Sequence, residues 1–345
     1  MTKPKKVYIG ITPTGWTNDD MPLLGNEIPF EQCISEMALA GYQGCSIGHK
    51  YPTDARVLGE ALAQRKLSIS EPWVSTYFLL PEGTVPTIDS CKERIAFIKQ
   101  VHEANMQWRN SHGERTVTLP AADIVVAELS RAVHQLPLPA IPSRPRFTAQ
   151  EWTTLADQLK NLGNVVHEHG MKLCYHPHIG TGIQTIEEVI MLMDHIKDSH
   201  VSLLLDTGHL YYAEYAEEVR AAESTKQKED SIASVQEKLQ DLTHRYAQGI
   251  KHVHLKNIRQ SVLNEAIAKR WSFLYAVQQG IFTVPGDPEG VIDFKPILET
   301  MMNAGYEGWL VVEAEQDPAK AAPLYYAQMA YDYLQEALNV PSGMR

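Results

Sequence analysis

The strongest constraint on this chain is an alternation repeated eight times. Short apolar runs rich in β-branched residues recur at VYIGITP (7–13), GCSIG (44–48), KLSISEPW (66–73), ADIVVAE (122–128), MKLCYHPH (171–178), VSLLLDTG (201–208), IKHVHLKN (250–257) and GWLVVEAE (308–315). Between them lie segments whose apolar residues return with helical spacing, among them FEQCISEMALAG, DARVLGEALAQR, CKERIAFIKQVHEAN and FKPILETMMNAG. Gly41, Gly170 and Gly305 end three such segments in the manner of helix C-caps. Strand and helix in this alternation predict an α/β fold, a (β/α)8 TIM barrel. A doubly wound open sheet is the alternative; it would usually carry a G-x-G-x-x-G loop, and none follows these runs.

An internal repeat supports a closed sheet. EMALAGYQG (36–44) and ETMMNAGYEG (299–308) both read as helix, Ala-Gly-Tyr-x-Gly, then strand, near opposite ends of the chain. Each Gly is expected to stop its helix and each Tyr to pack between helix and strand. At 345 residues, 44% of them hydrophobic, the chain fits a single barrel domain over 1–345. Loop excursions are expected near 107–147, polar over 107–121 and proline-rich over 135–147, and near 216–236, a charged stretch read as a solvated helix pair or a mobile excursion. Loops that follow strands would lie on the catalytic face, where these excursions could act as lids.

The formal net charge of −11 disfavours a nucleic-acid partner, which usually needs clustered Lys and Arg. Four cysteines stand singly without C-x-x-C spacing, so reduced core thiols are expected. The basic start runs into Gly10 and Pro13 with no signal-peptide apolar region, and no stretch reaches the length of a membrane span. A cytoplasmic protein acting on a small molecule is the expectation.

The ends of four consecutive strands carry the chemistry. The fifth run ends on His176 and His178, the sixth on Asp206 with His209 beyond, the seventh on His252, His254 and Lys256, and the eighth on Glu313 and Glu315. Residues two apart on a strand face one way, and a parallel barrel gathers strand ends at one rim. The leucines before Asp206 make an isolated carboxylate costly there. A divalent metal held by two carboxylates and one or two imidazoles is its natural partner.

YHPHIGTG, LLLDTGHLYYAE, HVHLKN and WLVVEAEQDPAKA resemble the strand ends of the xylose-isomerase-like barrels. GITPTGWTNDDMPLLG (10–25), GHKYPTD (48–54) and the EAEQDPAKA ending narrow the resemblance to the inosose dehydratase family. That resemblance implies a hydro-lyase of inositol catabolism, turning 2-keto-myo-inositol into a trihydroxycyclohexane dione by proton abstraction beside the ketone and loss of the β-hydroxyl. It implies a metal set of Asp206, His254 and Glu313 with a fifth-strand ligand, for which His176 is favoured and His178 left to the substrate. Lys256, His209 and Glu315 are its candidate proton-transfer groups, and Trp16, Asn18, Asp19 and Trp73 its candidate polyol contacts. Mn2+ or Co2+ suits the mixed ligands, with Zn2+ a further option; glutathione is a second cofactor implied by the resemblance and falls on no residue. An isomerase or epimerase on the same metal, and more remotely an endonuclease IV-like repair enzyme, are the alternatives. The polyol or keto sugar is the expected partner, with a homo-oligomer as an option.

Overall fold

The structure, a computed structural model, describes residues 7–114, 120–222 and 224–339. Its strands are β1 (Val7–Ile11), β2 (Gly44–Cys45), β3 (Ser68–Ile69), β4 (Trp73–Thr76), β5 (Ile124–Glu128), β6 (Leu173–Tyr175), β7 (Val201–Asp206), β8 (Ile250–Leu255), β9 (Asn257–Ile258), β10 (Phe282–Thr283) and β11 (Gly308–Val312). Nine of them form one parallel sheet in the order β3-β2-β1-β11-β8-β7-β6-β5-β4. The two end strands, β3 and β4, are one run of chain broken at Ser70, Glu71 and Pro72. Ser70 N–H donates to Cys45 O at 2.9 Å on one side, and Ser70 O accepts from Asp123 N–H at 2.9 Å on the other. The sheet therefore closes, and the expected eight-stranded barrel is found with its third strand in two pieces. Pro72 has no N–H to give a ladder, which accounts for the interruption beside it.

The barrel interior is layered by the two-residue period. Val125, Cys174 and Leu204, facing inward from β5, β6 and β7, form a small apolar cluster apart from the main core. Two residues on, the same face of the last two strands carries His176 and Asp206. β8 breaks the apolar rule at both levels: His252 and His254 point inward, while Val253 and Leu255 join the core between sheet and helices. The surrounding helices take their starts from local chemistry, as at Thr148 and Thr185, each of which forms a reciprocal capping box with a glutamate three residues on.

The two Ala-Gly-Tyr joints behave as the repeat implies. Gly41 (φ 104°) and Gly305 (φ 80°) take the left-handed conformation after their helices. Tyr42 OH then donates to Ala327 O at 2.8 Å and Tyr306 OH to Trp309 O at 2.6 Å, both rings buried.

Three segments differ from expectation or refine it. Residues 107–111 are not loop but the last turns of the long helix Thr84–Ser111, because Arg109 is buried and anchored to Asn105 and to Leu67 O; 115–119 lie outside the described residues. The proline-rich 135–147 stretch is loop around a short helix, Ala140–Ser143. The 216–236 stretch spans the end of the helix Thr207–Ala221 and the start of Thr225–Tyr246, a helix pair. The sequence reading also passed over the small antiparallel pair β9–β10, whose connection holds the helices Gln260–Ala268 and Phe273–Gln278. Among the described residues no helix is long and apolar enough to cross a membrane.

Candidate active site

The tetrapeptide Asp206-Thr207-Gly208-His209 is built around Lys256. Asp206 ends β7 and caps the helix Thr207–Ala221, its Oδ1 accepting the His209 N–H at 2.7 Å. Thr207 Oγ1 brackets the Lys256 backbone, donating to its carbonyl at 2.8 Å and accepting its N–H at 3.0 Å. Gly208 leaves room, since a Cβ there would stand 2.6 Å from Lys256 Cγ. The Lys256 ammonium then donates to His209 Nε2 at 2.9 Å and to Glu315 Oε2 at 2.9 Å, with Glu313 Oε2 at 3.1 Å and Asp206 Oδ2 at 3.6 Å.

The residues expected to hold a metal converge on Asp206. Its Oδ2 lies 3.2 Å from His176 Nε2 and 3.7 Å from His254 Nδ1, and that nitrogen is 2.8 Å from Glu313 Oε2. The last approach is an ion pair and not a hydrogen bond, and His176 Nδ1, both His254 nitrogens and Glu313 Oε2 are buried without a hydrogen-bond partner among the described residues. Buried polar atoms left in that state are costly. Ligand-type atoms of His176, Asp206, His209 and Glu313 all lie within 4.8 Å of one another, and so do those of Glu71, His252 and His254. His209 rather than the expected His254 completes the first group; His254 belongs to the second, although its Nδ1 also reaches Glu313 and Asp206. Two carboxylates and two imidazoles, with orphaned atoms on His176, His254 and Glu313, fit a divalent cation in donor type and number.

The charges are set by burial against neighbours. Burial works to raise Asp206, but Lys256 and His209 hold its carboxyl well below the usual range. Glu313 is likewise pulled down, by Lys256 and His254 against its burial. Glu315 goes the other way: burial, opposed by Lys256 and reinforced by Glu313, pushes it up to about 7. Burial would discharge Lys256, yet Asp206, Glu313 and Glu315 raise it, so it is a fixed cation. His209 and His178 are held neutral by burial first, then by neighbouring positive groups.

A cavity of about 320 Å3 opens on this rim, and Asn18, Asp19, Trp73, His176, His178, His254, Glu313 and Glu315 all line it. Asp206, His209 and Lys256 stand behind that wall, fully buried. Trp16 is not brought to the cavity. It packs in the core with its indole N–H donating to Glu36 at 2.5 Å, because the turn after β1 directs it back against the helix Phe30–Ala40. Asn18 lines the cavity and caps the following turn with Oδ1, its Nδ2 buried without a hydrogen-bond partner among the described residues, while Asp19 is engaged by His49 at 2.9 Å.

Several lining and supporting residues escaped the sequence reading. Glu71 sits in the break between β3 and β4, where ISEPW reads as an ordinary strand end. His134 and Gln135 arrive on the loop after β5; the His134 ring lies 5.1 Å from that of His178, and Gln135 Nε2 donates to Asp20 at 2.7 Å, tying that loop to the one after β1. No spacing marks either residue in the sequence.

Comparison with known proteins agrees with this fold. Residues 97–336 match the family model described as xylose isomerase-like TIM barrel. The chain is 44% identical over 341 residues to an inosose dehydratase of Geobacillus thermodenitrificans, covering 99% of this chain and all of that one. It is 42% identical to an inosose dehydratase of Clostridium beijerinckii, over 97% of this chain and 99% of the relative. Among solved structures, the IolI protein with a bound zinc atom superposes with a TM-score of 0.61 at 13% identity, covering 96% of this chain and 98% of the other.

Proposed function

The chain belongs to the inosose dehydratase family of xylose isomerase-like TIM barrels, and on that premise we propose that it removes water from 2-keto-myo-inositol to give a trihydroxycyclohexane dione. The observation that carries this reading in the chain itself is the place of Glu315, a buried carboxyl on the cavity wall beside His176, His254 and Glu313, with Lys256 donating to it at 2.9 Å.

His176, Asp206, His254 and Glu313 would hold a divalent ion, which when bound supplies Lewis acidity toward a ketone oxygen and so acidifies the neighbouring C–H. Mn2+ or Co2+ suits this oxygen and nitrogen set, and Zn2+ is a further option. Glu315 takes the proton from the carbon beside the ketone, its carboxylate being well populated at neutral pH. The electron pair of that C–H bond forms the new C=C bond as the C–O bond to the β-hydroxyl breaks, and the enol so formed, which carries its own hydroxyl on that double bond, tautomerises to the dione. The proton now on Glu315 passes to the departing hydroxide, so one water leaves and Glu315 returns to a carboxylate. Lys256 holds Glu315 by a 2.9 Å hydrogen bond and keeps a positive charge beside it throughout. Asn18 Nδ2, Asp19, His178 and Trp73 bind the remaining hydroxyls and the ring face, and His209 steadies Lys256 from behind.

The elimination balances without a thiol, and neither the motifs nor the cavity place glutathione on any residue. Four free, buried cysteines support a reducing compartment, the cytoplasm. Chelator-treated protein tests the metal requirement: water loss should stop and return on adding Mn2+, Co2+ or Zn2+, whereas undiminished turnover after complete metal removal would contradict it.

A further inference from the structure

A charged chain crosses the interior of the barrel beneath the ligand ring. Asp123, just before β5, lies 2.9 Å from His252 Nδ1; His252 Nε2 lies 3.4 Å from Glu71 Oε2; Glu71 Oε1 lies 3.5 Å from His254 Nε2. All four residues are nearly closed to solvent, in a space that barrels ordinarily fill with branched aliphatic side chains. These two approaches are ion-pair distances, and neither Glu71 oxygen has a hydrogen-bond partner among the described residues. A buried carboxylate facing only two imidazole edges is costly unless those edges carry protons toward it.

His254 has an acceptor-rich environment on both sides, with Glu71 at Nε2 and with Asp206 and Glu313 at Nδ1. For Nδ1 to offer a lone pair to a cation held by Asp206 and Glu313, the ring proton must sit on Nε2, and Glu71 is the carboxylate that faces it. The arrangement is that of a carboxylate orienting a metal-binding imidazole from behind. We propose that Glu71 is a positioning residue for the metal site: anchored by His252, which Asp123 holds in turn, it fixes His254 as the Nε2–H tautomer with Nδ1 directed at the cation. The inference rests on the metal reading above and adds a residue to it.

The same atoms offer a competing arrangement, in which Glu71, His252 and His254 themselves hold a second ion through Nε2 of both rings. The test separates the two. Zn2+ stoichiometry and affinity are measured by chelator competition on wild type and Glu71→Gln, and the histidine tautomers by 15N NMR of Zn2+-loaded wild type. The proposal predicts one Zn2+ per chain, His254 bound through Nδ1 with a proton on Nε2, and an affinity in Glu71→Gln lower by about 10- to 100-fold. Asp123→Asn, which reaches Glu71 only through His252, should shift affinity the same way by less. Unchanged affinity in Glu71→Gln, or Zn2+ on Nε2 of His254, would overturn the proposal while leaving the metal reading intact. Two Zn2+ in wild type falling to one in Glu71→Gln would replace it with the second site. Failure of wild type to bind any divalent ion would remove the metal reading itself. Should Glu71→Gln not fold, the tautomer in wild type still decides.

Discussion

Lys256 Nζ stands 2.9 Å from Glu315 Oε2, and only one of the two reaches the cavity: Glu315 lines it, while Lys256 lies wholly buried behind. A cation so placed works on the substrate through its carboxylate partner. Lys256 also touches Glu313 and Asp206, so one ammonium offsets three carboxylates in a space closed to water.

Glu315→Gln should therefore keep bound metal and lower kcat by about 10²- to 10⁴-fold, the range for loss of a positioned general base. A base must be deprotonated to act, so wild-type kcat/KM should rise with pH through about 7, where burial places Glu315. The variant's profile should lose that ionisation. A pH–rate series on both proteins checks it.

Lys256→Met should behave as removal of a buried charge. Breaking such a cluster by deleting one partner costs about 3–5 kcal/mol, because the carboxylates left behind are uncompensated. Denaturant melts of metal-free protein should show this loss. Saturating Mn2+ should recover part of it, about 2.7 kcal/mol at a hundredfold excess over Kd.

Asp206 serves two ends, as ligand candidate and as helix cap, and substitutions can separate them. Asp206→Asn keeps an acceptor for the His209 N–H and should fold normally while losing metal. Asp206→Ala should lose metal and about 1 kcal/mol of stability from the cap besides. Elemental analysis and melting of the two variants provide the comparison.

His134 should act on substrate affinity. Its ring lines the cavity, and its Nδ1 is buried without a hydrogen-bond partner among the described residues, so a small shift on binding would let a substrate hydroxyl satisfy it. His134→Ala should raise KM by about tenfold, the loss of one buried hydrogen bond, and change kcat less. Equal kinetic constants for the two proteins would leave His134 a packing residue.

The barrel was legible in the sequence because its signals are local: eight apolar runs, glycine stops, and a period of two that put Cys174 and His176, or His252 and His254, on one face. The convergence of four strand ends followed from that period together with closure. What lay outside reach was the relation between residues without sequence spacing. Glu71 looks like any strand-end glutamate until the break at Pro72 turns it under His254. His134 sits on a loop whose course is set by its partners, through Gln135 and Asp20 and through the backbone contact of Val133 with Gly180. Trp16 carried the opposite ambiguity: a tryptophan on a first loop can enclose a ligand or plug a core, and only the Glu36 carboxylate beside it decides for the core.

Elimination of water from a keto-inositol is read straight from the mass of the product. Metal-loaded protein incubated with 2-keto-myo-inositol should yield a dione lighter than substrate by one water, whereas the analogue lacking the β-hydroxyl should only exchange its proton beside the ketone with solvent deuterium. Recovery of an isomer of unchanged mass from the full substrate, with no dione, would contradict the dehydratase assignment and leave an isomerase on the same site.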